Sequence, residues 1–105
     1  MLGDAFFVSS AVNKRTIKLG DGEHELYFRK VSSYDYSRFL AHASSKLPDE
    51  RAEAAHILVA ASLCESDGKA ALTVERARQL KGEALDALFA AAMEVNKREP
   101  VEGNA

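Results

Sequence analysis

From Ala54 to Cys64 the chain reads Ala-Ala-His-Ile-Leu-Val-Ala-Ala-Ser-Leu-Cys, without an acidic side chain, a lysine or an arginine. A helix of this composition is apolar on nearly every side, so it is stable only when the rest of the chain wraps it. The run is too short for a bilayer, which takes about 20 residues, and too long for a typical strand. It predicts a buried central helix. With 105 residues there is material for one such core and not for two, so a single domain over 1–105 is expected.

The flanking segments show what can do the wrapping. Ile17 and Leu19 alternate with Thr16 and Lys18, and Leu26 and Phe28 alternate with Glu25, Tyr27 and Arg29, around Gly20-Asp21-Gly22-Glu23. This is the pattern of a β-hairpin within 14–31, with the Asp-Gly pair supplying positive φ at the turn. A lone hairpin is marginal in water, so its Ile17, Leu19, Leu26 and Phe28 face is expected to lie on helices. Ser32 or Ser33 caps a helix to about Lys46, with Tyr36, Phe39, Leu40, Ala43 and Leu47 as its apolar stripe and Asp35, Arg38 and His42 outside. Pro48 opens the next helix, 49–64, which contains the uncharged run. The turn Glu65-Ser66-Asp67-Gly68-Lys69 ends it, its glycine suited to the left-handed region. Thr73 caps a short helix, 74–81, Gly82 interrupts, and a last helix, 83–97, carries Leu85, Leu88, Phe89, Ala92 and Val95 or Asn96 along one side. The expected class is α+β, mainly α: an N-terminal hairpin on a bundle of about four helices, with one core holding Phe39, Leu40, Ile57, Leu58, Leu63, Leu85, Leu88 and Phe89. Residues 98–105 are expected to be a frayed tail.

Residues 1–13 fit neither period and are read as an arm. Phe6, Phe7 and Val8 are its apolar cluster and the candidate self- or partner-binding residues. The first expectation is that Phe6 and Phe7 fold back on the core; the alternative is that they pack on a neighbouring subunit.

Chemistry is sparse. None of His24, His42 and His56 has a second histidine or a cysteine at helical spacing, so no metal is expected. His42 is expected to face solvent, and His56 to make one hydrogen bond at the entrance of the core helix. Cys64, the only cysteine, is read as a small buried hydrophobe, without a basic sequence neighbour to activate it. No serine lies in a glycine-flanked elbow, and Gly20-x-Gly22 precedes a strand, so it fails as a nucleotide fingerprint. No enzyme and no cofactor are expected. Lys14, Arg15, Lys18, Arg29 and Lys30 are placed on the hairpin's outer face, as an edge guarded against aggregation rather than a docking patch. A net charge of −2 gives no footprint for nucleic acid. The amino-terminal sequence lacks the basic region of a secretion signal, and Gly3 stands one place too late for myristoylation. With one unpaired cysteine, a reducing cytoplasm and no membrane association are expected.

Three segments in fixed order carry a likeness: Glu25 to Phe39, where a strand leads into a serine and an aromatic helix; Ala61 to Thr73, the end of the core helix with its turn; and Glu83 to Asn96. Together, over residues 15–97, they resemble the tail assembly chaperones of lambda-like long-tailed bacteriophages, departing from the pattern at Ala70-Ala71. The resemblance implies a non-enzymatic protein of the host cell cytoplasm, absent from the mature virion. It implies binding to the tape measure protein to keep it soluble, help for the tail tube protein to assemble around it, and a longer companion made by ribosomal frameshifting that reaches the tube protein. Coating an extended client also calls for self-association, head to tail into spirals or rings. The alternative is a small cytoplasmic regulatory or antitoxin-like interaction module, which a toxin frame in place of a tape measure frame downstream would indicate. A hydrolase is the third class, to be recognised by Cys64 or a serine within hydrogen-bond reach of a histidine.

Overall fold

The uncharged run does become the core. In the computed structural model, which describes residues 2–97, Ile57, Leu58, Val59 and Ala60 are buried, and Leu58 and Val59 expose nothing. They belong to the second of four α-helices among the described residues: α1 Ser33–Ala43, α2 Pro48–Ser62, α3 Val74–Ala77 and α4 Gly82–Val95. The strands are β1 Val12–Leu19, β2 Gly22–Arg29 and β3 Leu63–Cys64, in one antiparallel sheet of order β1-β2-β3. The fold is α+β, with the hairpin at the amino-terminal end of the described chain. The tail expected at 98–105 lies outside the described residues.

Local rules set most element ends. Ser32 Oγ accepts from the Asp35 amide and caps α1, and Thr73 Oγ1 accepts from Arg76 to cap α3. Pro48 is the first residue of α2, where a missing N–H costs nothing, and Leu47 before it is extended. Gly82 does not interrupt a helix. It begins α4, which Lys81 precedes in an extended conformation, while α3 closes after a single turn. The hairpin turn also differs in detail: Leu19 pairs with Gly22, leaving a two-residue loop in which Gly20 takes φ +58° and Asp21 stays negative. That is the sign pattern of a type II′ turn, so the positive φ falls before the Asp-Gly pair. Gly68 does adopt the left-handed region, at φ +88°.

Three expectations about packing are corrected. First, Leu63 and Cys64 are strand, not helix: Phe28 pairs with Leu63 and Tyr27 with Cys64, so β2 becomes the central strand. Second, α1 is turned towards Asp35 and His42, which are half-buried, while Leu40, Ala43 and Leu47 are exposed and outside the core. The link to α2 imposes this rotation, because Arg51 Nη1 donates to the Ser45 carbonyl at 2.8 Å and His42 Nδ1 lies 3.2 Å from the Glu50 carbonyl. Phe39 therefore points inward, against Phe89 with ring centroids 5.8 Å apart. Leu63, Leu85 and Phe89 pack against the core while only partly buried. Third, the basic residues are not one outer patch. Lys14 and Lys18 pair across the hairpin with Glu25 and Glu23, at 3.1 and 3.7 Å. Arg15 shares the inner face with Ile17 and reaches Glu94 of α4 at 2.6 Å. Arg29 is half-buried and donates to the carbonyls of Ala61 and Gly68.

Candidate functional site

The arm enters the sheet at Val12, opposite Arg29, at the end of the hairpin away from its turn. Its residues Asp4–Phe6 make one 3₁₀ turn, closed by Phe6 N–H to the Gly3 carbonyl at 3.1 Å, and Phe7 is extended. So short a turn has no face to bury. Phe6 is 74% exposed, Phe7 63% and Val8 50%, which overturns the expectation that the two rings fold back on the core. The space beneath the hairpin is already filled by Phe28, Ile17 and the α2 residues Leu58 and Val59.

The exposed rings instead form one wall of an open cleft of about 580 Å³. Its other wall is the shoulder where β2 passes into α1, with Lys30, Val31 and Tyr36, and Asn96 and Lys97 at the end of α4 close it. A buried polar relay holds that shoulder. Val31 N–H donates to Asn96 Oδ1 at 2.7 Å; Asn96 Nδ2 donates to the Ala92 carbonyl and to Ser62 Oγ; Ser62 Oγ donates to the Arg29 carbonyl at 2.8 Å. Ser62 is fully buried and Asn96 is 8% exposed, so the ends of α2, α4 and β2 are tied by groups largely shielded from water. In the sequence Asn96 shows only as a member of an apolar side and Ser62 only as part of the uncharged run. A polar residue in each of those two patterns was the available signal. Asn96→Ala strands the Val31 amide and should cost about 1–3 kcal/mol. A urea midpoint equal to wild type would show that solvent replaces the relay.

The remaining candidates have structural explanations. His56 Nδ1 lies 2.9 Å from the Ala52 carbonyl, one turn back, as expected. His42 is not solvent-facing but half-buried against the start of α2. Cys64 is buried, and desolvation pushes its thiol pKa up despite the opposing pull of Arg29. Among the described residues, no hydrogen bond joins a histidine to Cys64 or to a serine, and no group of three His, Cys, Asp or Glu side chains is placed to hold a metal ion. No helix of the described residues is long and apolar enough to cross a membrane.

Because Phe6 and Phe7 lie outside the core, Phe6→Ser/Phe7→Ser should change stability by no more than about 0.5 kcal/mol. A drop of several degrees in the thermal midpoint would assign the rings to the monomer's own packing. No family model, curated protein or solved structure matches the chain.

Proposed function

We propose that this chain is a non-enzymatic tail assembly chaperone of a long-tailed bacteriophage, acting in the host cytoplasm and absent from the finished virion. Its client is the tape measure protein, which several copies keep soluble by coating it, and a frameshifted longer form engages the tail tube protein. Two things support the reading. The three ordered segments described above resemble that family, and an arm carries Phe6, Phe7 and Val8 into solvent, where their burial awaits a partner. The exposed arm is the observation that carries it. Aromatic side chains held on a short, locally closed turn lose little freedom on docking and act as anchors at interfaces.

Co-expression with the tape measure protein encoded nearby tests the proposal. The expected result is a soluble client that co-purifies with this chain, with both solubility and co-purification lost in Phe6→Ser/Phe7→Ser. An insoluble client beside abundant, folded wild-type protein refutes it. Sedimentation velocity on the purified protein reads out the proposed self-association.

A further inference from the structure

We propose that the free edge of β1 is the surface on which a second copy of this chain docks its arm, residues 7–11 joining the sheet as an added strand. This deepens the self-association of the chaperone reading and rests on that reading only for what the assembly is used for. β1 is the outer strand of the sheet, whereas β3 on the other side is bridged onward from Cys64 to Ala70. Leu19 and Gly22 close the hairpin, so the odd-numbered residues of β1 turn their backbone groups to β2, and Val12, Lys14, Thr16 and Lys18 turn theirs outward. The Lys14 carbonyl accepts from Arg15 Nη1 at 2.9 Å; the other outward groups have no hydrogen-bond partner among the described residues. Beside this edge, on the helix side of the sheet, Ile17 and the small side chains of Ala87, Ala90 and Ala91 line a groove of about 360 Å³. The arm offers the complement. Phe7 is extended, and the backbone groups of Val8, Ser9 and Ser10 make no hydrogen bond among the described residues. Joined to Val12, the arm of the same chain leads away from this edge, past Lys30.

Charge selects the occupant. Glu25, Glu94 and Glu23 already balance Lys14, Arg15 and Lys18, so an incoming strand should bring no further cation and needs few anions. A second β1 fails that condition. Residues facing one another across a new seam must both turn their backbone groups towards it, and the two such registers with the longest overlap set Arg15 opposite Arg15 or Lys14 opposite Lys18. Residues 5–11 carry no charge. With Phe7 opposite Ile17, Val8 faces Thr16, Ser9 faces Arg15 and Ser10 faces Lys14, so no like charges meet. The period of two then carries the Phe7 ring to the helix side, over the alanine-lined groove, and Asp4, the arm's one charged side chain, falls at the Lys18 end of the edge. Main-chain hydrogen bonds supply the affinity of such a strand addition, and the seated ring supplies its specificity.

The test is sedimentation velocity on the full chain over a concentration series. Thr16→Pro removes an N–H that the ladder to β2 does not use, and Ala90→Arg fills the groove from an exposed position. Each is expected to weaken self-association by about tenfold or more, as Phe6→Ser/Phe7→Ser does, with a wild-type urea midpoint. If Thr16→Pro does not fold, Ala90→Arg carries the test. Mixing variants then pairs an intact edge with an intact arm. Phe6→Ser/Phe7→Ser and Ala90→Arg, each monomeric alone, should recover a two-chain species when combined. A wild type that stays monomeric, edge variants that associate like wild type, or a mixture that remains monomeric where wild type assembles overturns the inference. The two readings fail separately. An assembly that needs both arm and edge but leaves the tape measure protein insoluble sinks the chaperone and keeps the pairing. A client kept soluble by a wild type that never self-associates sinks the pairing and keeps the chaperone.

Discussion

Phe28→Ala should lower the stability of this domain by about 3–5 kcal/mol. Phe28 exposes nothing and lies on the central strand, opposite Asn13 of β1 and Leu63 of β3, with its ring in the cluster formed by Ile17, Leu58 and Val59. Removing the ring leaves a cavity that three strands and a helix must collapse together to fill, and close packing resists that. For a domain whose whole stability is about 5–15 kcal/mol, such a loss moves the urea midpoint by on the order of 2 M. A midpoint within experimental error of wild type would place Phe28 outside the core. It would also remove the reason for β2 to lie between two partners.

A second large effect comes from α2, and its control comes from α1. Leu58→Ala should cost roughly 2–5 kcal/mol, because Leu58 is fully buried on a helix touched by α1, α3, α4 and β3. Leu40→Ala removes the same atoms from a side chain that is 48% exposed, and should cost less than about 1 kcal/mol. Chemical denaturation of the two variants side by side therefore measures the rotation of α1. Equal losses would return Leu40 to the core and turn Asp35 and His42 outward, as the α1 periodicity alone suggests.

Within the candidate site, the sequence distinguished only the arm. Phe6, Phe7 and Val8 stand out as an apolar cluster with no period to explain them, and such a cluster has to find a surface. Lys30, Asn96 and Lys97 look like ordinary residues at element ends. Lys30 and Lys97 are 67 positions apart in the numbering. They share a cleft because the end of β2 is tied through Val31, Asn96 and Ser62 to the ends of α4 and α2. No local pattern encodes that meeting.

By itself the sequence determined the kinds of element and most of their ends, since these follow from interactions within a few residues. Alternation of period two marks a hairpin within 14–31, which the structure begins two residues earlier at Val12 and ends at Arg29; Ser32 and Thr73 satisfy free amides, Pro48 starts a helix, and the uncharged run must be buried. The tertiary structure alone decided how those elements face one another. Leu63 and Cys64 continue a helical apolar run in sequence, yet they become strand because the free edge of β2 offers them hydrogen bonds beyond the end of α2. The α1 stripe is wide enough to allow more than one rotation, and the Ser45–Arg51 and His42–Glu50 contacts across the link selected the one that exposes Leu40. The arm's rings remain in solvent because other side chains already fill the core. Periodicity records which residues share a face; packing against the rest of the chain determines which way that face turns.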